Sequence, residues 1–231
     1  MTEFLSGSSF FAIALTLLIW RLSVLLQKKT GSVLLHPILM SVIGVIVILL
    51  CTGIPNSAYQ KGMEPFSWLI TPATVCLAVP LYEQVKVLKK NLPAICLGVF
   101  CGTLTSILCV AGLCLLFGMD RTMTVSLLPK SVTSAIGASV SEGLGGLGSV
   151  TVAVIIVTGI LGNVFGQVMY RLFRIHDPVA QGTAMGTSAH VIGTTKANEM
   201  GEIQGAVSSL SLVIAGVLTA FLIPLLAPLI L

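Results

Sequence analysis

The chain has 231 residues, 55% hydrophobic and 9% charged, with a mean hydropathy of +1.05 and a formal net charge of +4. Soluble domains carry about 25% charged residues, so these values exclude a soluble globular protein and define an integral membrane protein. The basic residues lie in short loops, where they report topology; membrane lipid is the expected partner and nucleic acid is not.

Phe4 to Leu26 is long enough to cross a bilayer, which needs roughly 20 apolar residues. Glu3 precedes it and no basic residue does, which favours a retained first helix over a cleaved signal peptide. A polar loop, Gln27 to His36, carries Lys28 and Lys29. Pro37 to Thr52 reads as a second span and Ile54 to Pro65 as a polar connector. Trp68 to Leu88 is a third span containing Pro72 and Pro80, which remove backbone donors and predict a bend or local unwinding. The loop Glu83 to Asn91 carries Lys86, Lys89 and Lys90. Leu92 to Phe117 is a fourth span, followed by a turn at Gly118 to Arg121. Six cysteines lie in apolar segments without metal-ligand spacing and read as free thiols acting as small hydrophobes.

Lysine and arginine accumulate in cytoplasmic loops. Both lysine clusters therefore mark the cytoplasmic side, with the N-terminus and the Asp120–Arg121 turn outside. Val150 to Tyr170 is a clear span followed by Arg171 and Arg174. Those arginines face the cytoplasm only if Thr124 to Glu142 dips into the membrane and returns to the same side. The expected architecture is an all-α polytopic membrane protein with about six full spans and two re-entrant or broken segments. The two segments enter from opposite sides, a layout that inverted repeats generate. Eight full spans is the alternative. One membrane domain covers 1–231, with four spans in 1–121 and both broken segments in 122–231.

Those two segments, Ser126 to Gly148 and Gly182 to Gly205, concentrate charge, hydroxyls and glycine in a chain that is otherwise nearly hydrocarbon. Polar, interrupted segments of this kind mark a translocation site. In the first, Lys130 follows Pro129 and precedes Ser131, Thr133 and Ser134. A helix starting near Ser131 would aim its N-terminal amides and this ammonium at one space, which attracts an anion. A lysine snorkelling outward is the other reading. In the second, Thr187, Ser188, His190, Thr194 and Thr195 are further candidate substrate ligands. His190 reads either as a donor or proton carrier, or as a structural hydrogen bond between segments. Glu142, Glu199 and Glu202 are candidates for proton or cation coupling, and Lys196 with Glu199 alternatively forms a local ion pair. Pro72, Pro80, Pro129, Gly137, Gly186 and Gly193 are the expected points of broken-helix backbone. Gly98, Gly102 and Gly112 make a smooth helix face for another subunit or for internal packing. No metal, cofactor or GxSxG-type nucleophile is indicated, so the chain reads as a transporter and not as an enzyme.

Three stretches carry a family resemblance: TPATVCLAVPLYEQ (Thr71 to Gln84), LLPKSVTSAIG (Leu127 to Gly137) and GTSAHVIGTTKANEMGEIQGAVSSLSLV (Gly186 to Val213). The chain resembles the LrgB/CidB family, which includes the membrane domain of the plastid glycolate/glycerate translocator. Ser134 and Ala135 stand where the family commonly has Thr-Pro. The resemblance implies a bacterial cytoplasmic (inner) membrane protein and two competing functions. One is transport of two- or three-carbon monocarboxylates such as glycolate, glycerate or pyruvate. The other is an antiholin-like role in murein hydrolase export and autolysis with an LrgA/CidA-type partner. The residues favour transport, because charge in glycine-broken segments is costly in hydrocarbon and helix association does not need it.

Overall fold

The computed structural model describes residues 8–30, 35, 37–76 and 78–230, and every regular element among them is an α-helix. The chain divides into two compact units, Met1–Cys76 and Leu77–Leu231.

In the first unit, α1 (Ser9–Thr30) packs on α2 (Pro37–Thr52) and α3 (Asn56–Ser67). Small residues set the approach: a Cβ on Gly44 would come within 2.8 Å of Ile19, and one on Gly62 within 2.8 Å of Ala12. The Tyr59 hydroxyl lies 2.7 Å from Thr16 Oγ1. The stretch Ile54 to Pro65, expected as a polar connector, is therefore mostly helix. Its polar residues fall on one face, with Lys61 and Glu64 exposed and Gly62 buried, a pattern that averaged hydropathy reads as loop. The start of the predicted first span at Phe4 lies outside the described residues, as do positions 31–34 and 36 of the loop after it. The predicted third span is described as α4 (Ile70–Cys76) and, in the second unit, α5 (Ala78–Glu83). Its centre at Leu77, between Pro72 and Pro80, lies outside the described residues.

The second unit continues with α6 (Val85–Leu116), α7 (Arg121–Leu127), α8 (Ser134–Gly143), α9 (Gly148–Leu172), α10 (Pro178–Met200) and α11 (Glu202–Ile230). Helices α1, α6, α9 and α11 are long and apolar enough to cross a membrane, and α2 is a shorter apolar helix. The predicted loop at Glu83 to Asn91 is instead the last residue of α5, a turn at Gln84 and the start of α6 from Val85. That helix has 32 residues, about 48 Å at 1.5 Å per residue, against a hydrocarbon core of about 30 Å. Its first turns, bearing Lys86, Lys89 and Lys90, extend beyond what the hydrocarbon needs.

The first polar segment is a helical hairpin. The Asp120 carboxylate accepts from the Met123 amide at 3.3 Å and caps α7. The chain turns through Leu128–Thr133 and comes back as α8. The stretch after α8 is tied to the last turn of α7, because the Leu147 amide donates to Ser126 Oγ at 2.7 Å and Thr151 Oγ1 donates to the Ser126 carbonyl at 2.9 Å. The end of α7 and the exit of α8 therefore meet at the start of α9.

The second polar segment folds likewise. Asp177 caps α10 by accepting from Ala180 at 2.8 Å, with Pro178 at the first helical position. At His190 the backbone leaves the helix, with φ 43° and ψ −137°, and the chain doubles back. Ala197 of the returning leg packs with Met185 and Ala189 of the entering one, against Tyr170. Gln204 Nε2 reaches Gln181 Oε1 at 3.3 Å, so this hairpin enters and leaves beside the far end of α9. The all-α polytopic architecture thus has two helical hairpins, one packed at the start of α9 and the other at its far end. The folding back of each segment favours two re-entrant segments over the eight-span alternative.

Close approach of α10 to its neighbours is set by small residues. A Cβ on Gly98 would lie 3.2 Å from Thr183 Cγ2, and one on Gly102 2.9 Å from Thr187 Cγ2. These glycines of α6 thus serve internal packing. Gly112 meets nothing within 4 Å. Gly102→Leu is expected to destabilise the protein by about 1–3 kcal/mol through overpacking, read as a lowered melting midpoint in detergent, whereas Gly112→Leu leaves the midpoint unchanged. On the outer side of α11, Val213, Val217, Phe221, Leu225 and Leu229 recur every fourth residue and are exposed, the stripe expected of a lipid-facing surface.

Candidate functional site

A cavity of about 760 Å³ lies between α6, the tip of the first hairpin and the entering leg of the second. Its α6 wall runs from Asn91 to Leu113, about 33 Å at 1.5 Å per residue, comparable to the thickness of the hydrocarbon core. Lys130 and Ser131 of the first hairpin line it, opposite Thr183, Thr187 and Ser188 of the second. The Lys130 ammonium donates to Ser131 Oγ at 3.1 Å, and Ser131 Oγ lies 3.2 Å from Ser106 Oγ on α6. Lys130 has three donor protons; with one on Ser131, two remain for a ligand. Thr187 and Ser188 donate to the carbonyls of Thr183 and Ala184, each at 2.7 Å, which leaves each hydroxyl with acceptor lone pairs and no further proton to donate in this rotamer. Lys130 is the one basic side chain among the cavity-lining residues, and Asp177, engaged in its cap, is the one acidic side chain.

Of the residues singled out in the sequence, Lys130, Ser131, Thr187 and Ser188 are brought together here. The others lie elsewhere. Thr133 and Ser134 begin α8 outside the cavity lining, so the amides of that helix do not converge with Lys130. Thr194 donates to the His190 carbonyl at 2.9 Å and meets Ser208 Oγ at 2.9 Å, in the packing between the second hairpin and α11. Thr195 is exposed and bonded to Val191. Glu142, Glu199 and Glu202 are all exposed; a carboxyl in a low-dielectric pocket is not what any of them forms. Lys196 and Glu199 make an ion pair at 2.8 Å, the local alternative, and Glu202 accepts from Gln84 at 3.3 Å.

His190 is 3% exposed, and its Nε2 lies 2.8 Å from the Ile155 carbonyl. It is the pivot of the second hairpin and not part of the cavity wall, as in the structural reading of this residue. A non-glycine residue at positive φ costs about 1–3 kcal/mol and persists only where its surroundings hold it. Here the ring bond to Ile155 and the Asn163 Nδ2 bond to the Ile192 carbonyl at 3.2 Å fasten the tip to α9. The break therefore falls at His190 and not at the glycines expected to supply it. Gly186 and Gly193 are packing positions inside the two legs, and Gly137 packs α8 on Ile155. Pro129 does lie in the turn of the first hairpin. His190→Ala is expected to loosen the tip, raising amide hydrogen exchange at 189–194 by roughly 10- to 150-fold if about 1.5–3 kcal/mol of local stability is lost.

Sequence reading missed the α6 wall. Thr103, Thr105 and Ser106, in GTLTS within an apolar span, were the available signal: hydroxyls clustered on one stretch of a membrane helix.

An all-helical chain in which four helices among the described residues are long and apolar enough to cross a membrane is a polytopic membrane protein. The chain belongs to the LrgB-like family, whose model matches residues 16–229. It is 34% identical to the Holin-like protein CidB of Staphylococcus epidermidis over 226 residues, 98% of each chain. It is 35% identical to the Holin-like protein CidB of Staphylococcus aureus over 214 residues, 93% of each. No solved structure matches.

Proposed function

We propose that this chain moves small organic anions, two- or three-carbon monocarboxylates such as glycolate, glycerate or pyruvate, across the membrane. The observation that carries this reading is the placement of Lys130: an ammonium with two free donors, beside hydroxyls, in the wall of a cavity as long as the bilayer is thick. Charge at that depth is expensive unless it faces water or an anion. The exposed glutamates give no support to a buried carboxyl as the coupling group, so coupling to a proton or cation rests on other groups or is absent.

The holin-like designation of the relatives favours another function over transport: an antiholin-like role in murein hydrolase export and autolysis. A small LrgA/CidA-type membrane protein is the proposed partner for it; assembly as a homodimer is a separate proposal. The two readings separate in one assay. Purified protein reconstituted in liposomes should take up labelled glycolate or pyruvate. Partner binding and altered lysis with no carboxylate flux in those liposomes supports the holin-like function and sinks the transport proposal.

A further inference from the structure

On Ser131, the residue that accepts from Lys130, opens a second, much smaller cavity of about 10 Å³, whose lining includes five hydroxyl residues from four elements: Thr103, Ser106, Ser131, Thr187 and Thr219. Its volume matches that needed for one water-sized group, about 10–15 Å³. It shares Ser106, Ser131 and Thr187 with the large cavity. The Thr103 hydroxyl is the informative member. The residue is 5% exposed and its Oγ1 has no hydrogen-bond partner among the described residues. Buried hydroxyls are nearly always bonded, and leaving one unmade is costly. Ser106 and Ser131 are already joined to each other and to Lys130, so they do not meet its need.

We infer that this niche is a specificity subsite for the oxygen on the second carbon of a short 2-hydroxy or 2-keto acid, with Thr103 as its deepest contact. The inference rests on the anion-transport reading and deepens it. In such an acid the carboxylate and the second oxygen are carried by adjacent carbons. In the protein, the ammonium and the niche are likewise adjacent, with Ser131 Oγ belonging to both. A threonine hydroxyl donates or accepts, so it takes a keto or a hydroxyl oxygen. A cation is disfavoured: the ammonium lies one hydroxyl away, and like charges at such range repel strongly in a low dielectric. The rest of the lining, including Ile107, Leu128 and Val132, is apolar and rewards a neutral group that brings its own hydrogen bond.

The test uses the full chain, purified in detergent, with binding measured for glycolate, pyruvate, acetate and propionate. A site built to bond a substrate oxygen rejects analogues lacking it; wild type should bind the two oxygenated acids at least about tenfold more tightly than the plain ones. Thr103→Val should bring that ratio close to one, and Thr103→Ser should restore it. A structural role alone would weaken all four acids in proportion and leave the ratio standing, which overturns the inference. Equal wild-type affinities, or tight binding that requires sodium, also overturn it while sparing the anion reading. No binding of any acid removes both.

Discussion

Replacing Lys130 with alanine is expected to lower carboxylate affinity and uptake by roughly 10- to 150-fold. The estimate takes the loss of a charged hydrogen bond as about 1.5–3 kcal/mol, with 1.4 kcal/mol for each factor of ten. The ammonium is the sole basic group among the cavity-lining residues, so no neighbour replaces it. Lys130→Arg keeps the charge but changes a compact ammonium into a planar fork. The variant should retain part of the uptake, with its affinity shifted. Lys196→Ala is the comparison that gives the result its meaning. That lysine is equally charged but is paired with Glu199, outside the cavity, and its loss should leave uptake within twofold of wild type, surface pairs contributing about 0–1 kcal/mol. Equal effects of the two substitutions would mean that bulk charge, and not the cavity, governs the anion.

The largest structural effect is expected at Gly186. The entering leg of the second hairpin lies so close to α11 that a Cβ on Gly186 would collide with the Ser208 carbonyl and come within 2.9 Å of the Ser211 Cβ. A carbonyl in a helix cannot swing aside as a side-chain end can, so the hairpin must leave its seat. Overpacking of this kind costs about 1–3 kcal/mol or more; because the whole leg is displaced, Gly186→Val should sit at or beyond the upper end. The readout is the yield of monodisperse protein after extraction, expected to fall sharply. Gly143→Val, where nothing lies within 4 Å, should extract like wild type.

Much of this arrangement was visible in the chain because membrane insertion makes polarity expensive and therefore informative. Lys130, Ser131, Thr187 and Ser188 stood out as polar groups in apolar surroundings, and they meet in one cavity. The arginines after α9 forced the first hairpin to turn back, since a crossing would have put them on the wrong side. What stayed hidden depends on contacts distant in sequence. Glycines advertise backbone freedom, yet the second hairpin turns at His190, because Ile155 and Asn163 of α9 hold the unusual backbone there. Gly182 and Gly186 face α11, and their role is proximity, not bending. The glutamates drew attention as candidates for coupling, but charge in a polar segment does not reveal which way a side chain points, and all three point outward. The α6 wall escaped notice because three hydroxyls hardly alter the mean hydropathy of a 32-residue helix.

The central claim is that both polar segments enter and leave on one side each, from opposite sides. It is tested most directly by placing single cysteines in a background whose native cysteines have been replaced, at Asp120 and Gly145 flanking the first hairpin and at His176 and Gly201 flanking the second. Membrane-impermeant thiol reagent applied to one face of sealed vesicles should label the first pair together and, from the opposite face only, the second pair together. Labelling that divides either pair between the two faces would make that segment a full crossing and contradict the account.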